Sequence, residues 1–246
     1  MRPDAVYRVL EAEVAAAKDR RADGSPVVLD VGGGSGVWAV PLAQAGCRVT
    51  VVEPSPNALA TLHRRAADAE VSGRITPVQG DTDALHRLVP AGEADLVLGH
   101  GVLEMVDDVA TAVGALTWAC ASGGAVSVLV PNRYGAVLHR ALAGRLVEAG
   151  QLLDDESGQV AVAGDPLRRR FDVDGLTAAL VGAGLVVEVL QGHGLVSDVV
   201  PGSVLEASPG AEDALARLEL AAATRPPLRD VAARLHALAR KTRAAG

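Results

Sequence analysis

Apolar and polar positions alternate along this 246-residue chain in two rhythms. Short runs rich in Val and Leu stand at 26–31 (PVVLDV), 48–53 (RVTVVE), 75–80 (ITPVQG), 94–100 (ADLVLGH), 124–130 (GAVSVLV) and 185–194 (LVVEVLQGHG). Their length and branched side chains predict strands, and near-continuous apolar runs suit strands covered on both faces. Between them lie helical stretches: VWAVPLAQAG closed by Gly46, SPNALATLHRRAADAE opened by a serine cap and Pro56, and VATAVGALTWACAS from Val109. Strands alternating with helices predict a parallel sheet with helices on both sides.

After Val130 the rhythm loosens. GAVLHRALAGRLVEAG (135–150) reads as a helix outside the alternation, and the following polar stretch to Phe171 as an exposed loop or hairpin. DVDGLTAALVGAG and GAEDALARLELAAAT resume helical spacing. The tail PLRDVAARLHALARK supports two periods: Val231, Leu235 and Leu238 share a helical face, whereas Leu235, Ala237 and Ala239 share a strand face.

Composition adds bounds. Apolar residues make up 49% of the chain, enough for one large core built on Ala and Val, because aromatics are only 2%. The whole of 1–246 therefore reads as one domain, with about 132–170 as a substrate-side cap or insertion. A net charge of −7 argues against a broad electrostatic grip on nucleic acid, though not against a local basic patch. Cys47 and Cys120 read as buried, reduced and inert, both within helices. The first 21 residues are amphipathic and carry acids, unlike a secretory leader, and no apolar run nears the roughly 18 residues of a spanning helix. The expected location is the cytoplasm, without membrane contact. The histidines show no metal-ligand spacing, so no metal is expected.

The chemistry gathers at VLDVGGGSGVWAV, a strand, a glycine loop and a helix in succession. Gly34–Ala39 matches the G-x-G-x-x-A pattern of dinucleotide sites, with Glu53 roughly 20 residues on. A nicotinamide-dependent oxidoreductase is thus one reading. Asp30 speaks against it: a carboxylate at the end of the first strand would oppose a diphosphate laid over Gly32 and Gly33. The same charge suits S-adenosylmethionine, which carries a sulfonium and an ammonium and no phosphate. Gly32, Gly34 and Gly36 would then let the backbone approach the nucleoside. Glu53, backed by Pro54, would accept from the ribose hydroxyls. Asp81, followed by Thr82, would accept from the adenine amino group, while His100 and Gly101 would line the methionyl end.

VLDVGGGSG, VVEPS, GDTDAL, ADLVLGHGVLEMVDD and GGAVSVLVPN stand in the order and spacing of the class I S-adenosylmethionine-dependent methyltransferases, which this chain resembles over about 26–193. The resemblance implies an α/β, Rossmann-like fold: a seven-stranded, mostly parallel sheet with helices on both faces, a small insertion after strand five, and an antiparallel last strand supplied by about 233–241. One branch is closer. HGVLEMVDD, the Asn132-x-x-Gly135 turn, the helix with His139 and Arg140, and the Glu219/Arg225/Pro227 stretch resemble the tRNA 5-carboxymethoxyuridine methyltransferases. That branch implies a modified wobble uridine carboxylate as acceptor, S-adenosylhomocysteine as product, and an N-terminal arm of which only Arg2 falls near the cofactor-binding arginine.

An ionised carboxylate needs no general base, so the expected contribution of the enzyme is alignment and exclusion of water. Asn132 and Tyr134, just past strand five, and Arg168, Arg169 and Arg170 are the substrate-side candidates, the arginines for a carboxylate or phosphate. A small-metabolite acceptor is the alternative, and a non-catalytic partner with this fold a third reading. The Leu/Ala-rich C-terminal helices read as core or interface, which leaves room for a homodimer.

Overall fold

The computed structural model describes residues 4–159, 167–197 and 199–242. In chain order the elements are α1 (Ala5–Arg20), β1 (Val27–Val31), α2 (Ala39–Gln44), β2 (Arg48–Glu53), α3 (Pro56–Asp68), β3 (Ile75–Gln79), α4 (Leu85–Leu88), β4 (Ala94–His100) and α5 (Val109–Ala119). There follow β5 (Cys120–Pro131), α6 (Arg133–Leu142), α7 (Leu146–Asp154), α8 (Val173–Gly182), β6 (Leu185–His193), α9 (Gly202–Ala207), α10 (Ala211–Ala222) and β7 (Arg234–Lys241). The seven strands form one sheet in the order β3-β2-β1-β4-β5-β7-β6. β7 runs antiparallel to both β5 and β6, and the other neighbours are parallel.

Alternate residues of each strand feed two cores. Val28, Val49, Val51, Leu96, Leu98 and Leu129 meet α1, α2 and α3 on one face. Leu29, Val31, Val97, Val126, Val128 and Leu235 meet α4, α5 and α8 on the other. The period-2 pattern thus explains why the inner strands read as unbroken apolar runs. α1 is pinned to the sheet by Glu13, buried at 5% exposure, whose oxygens accept from Arg240 at 2.7 and 2.8 Å and from Arg20 at 2.8 Å.

The expected caps are present: Ser55 Oγ accepts from Ala58 N, and Gly46 takes a left-handed φ of 96° just past α2. Asp108 caps α5 through Ala110 N and Thr111 N. The ambiguous tail is a strand, because every second residue from Leu235 faces one core while Arg234 to Arg240 pair with a strand on each side.

Some expectations need correction. Cys47 lies in the turn before β2 and Cys120 opens β5, so neither is helical; both are buried, and burial pushes their thiols up to about 11 and about 12. The helix expected at 135–150 is two helices, broken at Gly144 with φ 76°. Part of the expected cap, 160–166, lies outside the described residues, as does Arg2. Among the described residues no helix is long and apolar enough to cross a membrane, and no cluster of His, Cys, Asp and Glu could hold a metal ion.

Candidate cofactor site

A cavity of about 400 Å³ opens at the carboxyl ends of β1, β2, β3 and β4, where ligands bind in open α/β sheets. Its walls include Gly32, Glu53, Pro54, Gly80, Asp81, Thr82, Asp83, Gly101, Met105, Asp107 and Arg168. Glu53 ends β2 and is only 8% exposed. Its Oε2 accepts from Gly34 N at 3.0 Å and its Oε1 from Ser55 N at 2.9 Å. Each oxygen therefore holds a loop in place and keeps a lone pair for a further donor. Asp81 is exposed on the wall and accepts from Thr82 N, while Asp83, which sequence reasoning passed over, stands beside it as a second carboxylate.

Asp30 lies beneath this wall instead of on it. Its side chain is buried under the glycine loop: a Cβ on Gly33 would fall 2.5 Å from Asp30 Oδ2 and 2.8 Å from Val51 Cγ1, so only glycine fits. Asp30 Oδ2 has no hydrogen-bond partner among the described residues. Burial first, and the Glu53 charge second, push its carboxyl up to about 7. Gly32 (φ 67°) and Gly36 (φ 80°) turn the loop through left-handed backbone, and a Cβ on Gly36 would strike Leu62 Cδ1 at 2.3 Å.

His100 is engaged within the sheet. Gln191 Nε2 donates to His236 Nδ1 (3.0 Å), and Ser127 Oγ lies 2.8 Å from both His236 Nε2 and His100 Nε2. Because the amide nitrogen can only donate, His236 donates to Ser127 and Ser127 to His100. Burial holds both imidazoles neutral, His236 down to about 3. The edge of this row meets Trp38, whose ring stands 4.9 Å from that of His100.

The substrate-side candidates separate. Asn132 is fully buried: Nδ2 donates to Asp230 O (2.9 Å) and Ala232 O (2.8 Å), and Oδ1 accepts from Tyr134 N. A Cβ on Gly135 would lie 2.2 Å from Ala232 O. Asn132-x-x-Gly135 is thus a clamp on the turn before β7, and the expectation of Asn132 at a substrate mouth is corrected, because its donors and its acceptor are already committed to the backbone. Tyr134 is half-exposed, with Arg133 across its ring. Arg168 reaches the cavity and pairs with Asp107; Arg169 donates to Val106 O (2.8 Å) and Asp107 O (3.0 Å). Arg170 is buried, its backbone N–H donating to Gly158 O. The three arginines do not form one anion site.

The residues present fit S-adenosylmethionine. Glu53, Asp81 and Asp83 offer acceptors to its hydroxyl and amino donors, and the unpartnered Asp30 carboxyl adds a charge that a sulfonium or ammonium would balance. A diphosphate would meet carboxylates on these walls, and Arg168, already paired, as their cation.

A doubly covered seven-stranded sheet with this acidic cavity at its switch point defines a Rossmann-like fold with a candidate nucleoside-cofactor site. A family model described as a methyltransferase domain matches residues 5–188, and the chain belongs to that family. It is 35% identical over 107 residues to a ubiquinone biosynthesis O-methyltransferase of Methylobacterium sp. (strain 4-46), covering 43% of this chain and 41% of that protein. It is 31% identical over 127 residues to the tRNA 5-carboxymethoxyuridine methyltransferase of Escherichia coli (strain K12), covering 50% and 48%. Each match thus spans less than half of the relative. The fold is shared with an S-adenosylmethionine-dependent methyltransferase from Mesorhizobium loti, at a TM-score of 0.58 and 18% identity over 96% of this chain and 97% of that one.

Proposed function

We propose that the chain binds S-adenosylmethionine in the acidic cavity and catalyses transfer of its methyl group to a small-molecule acceptor. Glu53 accepts from the ribose hydroxyls, Asp81 and Asp83 face the adenine side, and the Gly32 and Gly101 backbones line the methionyl tail above Asp30. When bound, the cofactor supplies a methyl group on positive sulfur, so the protein's part is to hold the acceptor in line and keep water out. The observation that carries the cofactor reading is Glu53: nearly buried, fixed by two backbone donors, and open to further ones.

The small-molecule reading is supported by the electrostatics and by the surface beyond β5. Arg168 is paired with Asp107 and Arg169 is spent on backbone carbonyls, leaving little at the cavity mouth to neutralise a polyanion. Tyr134, Leu138 and Leu142 instead form an exposed apolar stripe on α6, with Leu146 and Val147 beyond it on α7. We read these two helices as the described part of the cap. A second reading, methylation of the 5-carboxymethoxyuridine carboxylate in tRNA, is favoured by the similarity of half the chain to the enzyme that bears that name.

The experiment is direct. Calorimetry with S-adenosylhomocysteine and with NAD tests the cofactor: binding of NAD alone refutes the proposal. Methyl-labelled S-adenosylmethionine is then incubated with the protein plus either host tRNA or a small-molecule extract. Label in the extract supports the first reading and label in tRNA the second.

A further inference from the structure

A second cavity lies at the same edge of the sheet. β6 runs parallel to β4 and β5, so its last residue, His193, stands at the carboxyl edge, in register with Arg234 of β7, itself opposite Pro131 at the end of β5. The N-terminus of α1 and one face of α10 close over this point. Together they enclose about 220 Å³ lined by Asp4, His193, Leu215, Ala216, Glu219 and Leu220, among others. The lining combines apolar side chains with a few converging polar groups, the usual make-up of a small-molecule site.

The polar groups have distinct tasks. Glu219 is committed, accepting from Leu195 N, Val196 N and Ser197 N, all at 2.8 Å, and so holds the turn that forms one side. Asp4 caps α1 through Val6 N and its Oδ1 lies 3.4 Å from His193 Nδ1. That contact favours the tautomer with hydrogen on Nδ1 and leaves Nε2 as a base. The charged and titratable groups around His193 are Asp4 at the N-cap of α1, Arg234 and His236 on β7, Glu219 and Glu212 on α10, and His100 on β4. The Asp4 bond raises its basicity, burial and Arg234 oppose, and Glu219 adds to the rise. His193 is thereby a stronger base than a free imidazole, which suits a general base.

Both cavities open at the carboxyl edge of the one sheet, over β1 to β4 and over β6. His100, which feels the charges of Asp4 and His193, immediately precedes Gly101 on the wall of the cofactor site. Arg234 acts on both His193 and Glu104, and Glu104 belongs to the loop that carries Val102 and Met105 of that wall.

Resting on the methyltransferase reading, we propose that this second cavity is the acceptor site, that it takes a small apolar molecule bearing a hydroxyl of phenolic acidity, and that His193 is the catalytic base, with Asp4 as its positioning residue. His193 Nε2 takes the hydroxyl proton as the oxygen attacks the methyl carbon. The new O–C bond forms as the C–S bond breaks, and the S–C electron pair neutralises sulfur to the thioether. The proton leaves His193 to solvent. An imidazole matches a phenol far better than an alkanol, whose proton it would hardly move.

The test uses the full chain saturated with S-adenosylhomocysteine and titrated with catechol as probe, followed by the histidine imidazole resonances. His193 is expected to shift, and Ala216→Trp, which fills the cavity, to abolish that shift while homocysteine-cofactor affinity stays within threefold. With labelled S-adenosylmethionine and catechol, His193→Gln is expected to lower kcat at least a hundredfold with KM within threefold. Asp4→Asn is expected to move the acid limb of kcat/KM to lower pH, because the bond that raises the base is lost. Three results overturn the proposal: unmoved His193 resonances, binding without transfer, or a wild-type transfer rate in His193→Gln. Failure to bind S-adenosylhomocysteine at all refutes the methyltransferase reading instead.

Discussion

The two halves of the sheet edge are built in different ways. Over β1 to β4 the cavity comes from loops that directly follow strands, with carboxylates at strand ends and glycines between them. Over β7 and β6 the second cavity is assembled from α1, β6 and α10, whose lining residues run from Asp4 to Leu220. The first half is backbone-built and compact in sequence. The second depends on long-range placement, held by Glu13–Arg240 and by Glu219 on the 195–197 turn. On the assignments proposed above, the cofactor site rests on local geometry and the acceptor site on how distant segments dock.

Perturbing each half alone sharpens that contrast, and the largest expected effect is at Asp30. Its folded carboxyl sits at about 7, above the ordinary aspartate value of 3.8, so its contribution to stability is full below about pH 4 and is lost as pH rises through 7. The loss is on the order of 4 kcal/mol, and Asp30→Asn is expected to flatten that part of a denaturation-versus-pH curve. Cationic cofactor favours the ionised form. Near pH 6, calorimetry in buffers of different ionisation enthalpy should show close to one proton released on binding S-adenosylmethionine, and none in Asp30→Asn.

Next comes Glu53→Ala, which removes both loop contacts and the ribose acceptor. S-adenosylhomocysteine affinity should fall about a hundredfold, as expected for charge-assisted hydrogen bonds worth about 1.5–3 kcal/mol each, while the His193 resonances stay in place. An unchanged affinity would break the comparison. Asn132→Ala should cost about 2 kcal/mol in thermal or denaturant unfolding, since it loses a helix cap and two buried bonds to the turn before β7, with cofactor affinity within threefold. The smallest effect is Arg168→Ala. Its pair with Asp107 is solvent-exposed, so cofactor affinity should change less than threefold.

These outcomes also bear on what was readable beforehand. Strand bounds at 48–53 and 94–100 follow from the apolar runs, because both faces of those strands are covered and most of their residues on either face are buried. Cys120 was misplaced because an apolar helix end running into a strand offers no break in hydropathy. Asn132 was misread because an Asn at a strand end looks the same whether it meets a ligand or a backbone 98 residues away. Nothing local marks Asp4 and His193 as partners, since neither sits in a motif.

The chain alone determined the alternation of strands and helices from β1 to β5, the glycine loop, and the carboxylates at the ends of β1, β2 and β3, because each depends on neighbours within a few residues. Tertiary structure alone decided that Asp30 lies beneath the loop, that Asn132 clamps a turn, that a row of neutral histidines crosses the sheet, and that Asp4 meets His193. Each of those is a contact between segments far apart in the chain, and its energy comes from burial and hydrogen bonds that exist only once the sheet has brought them together.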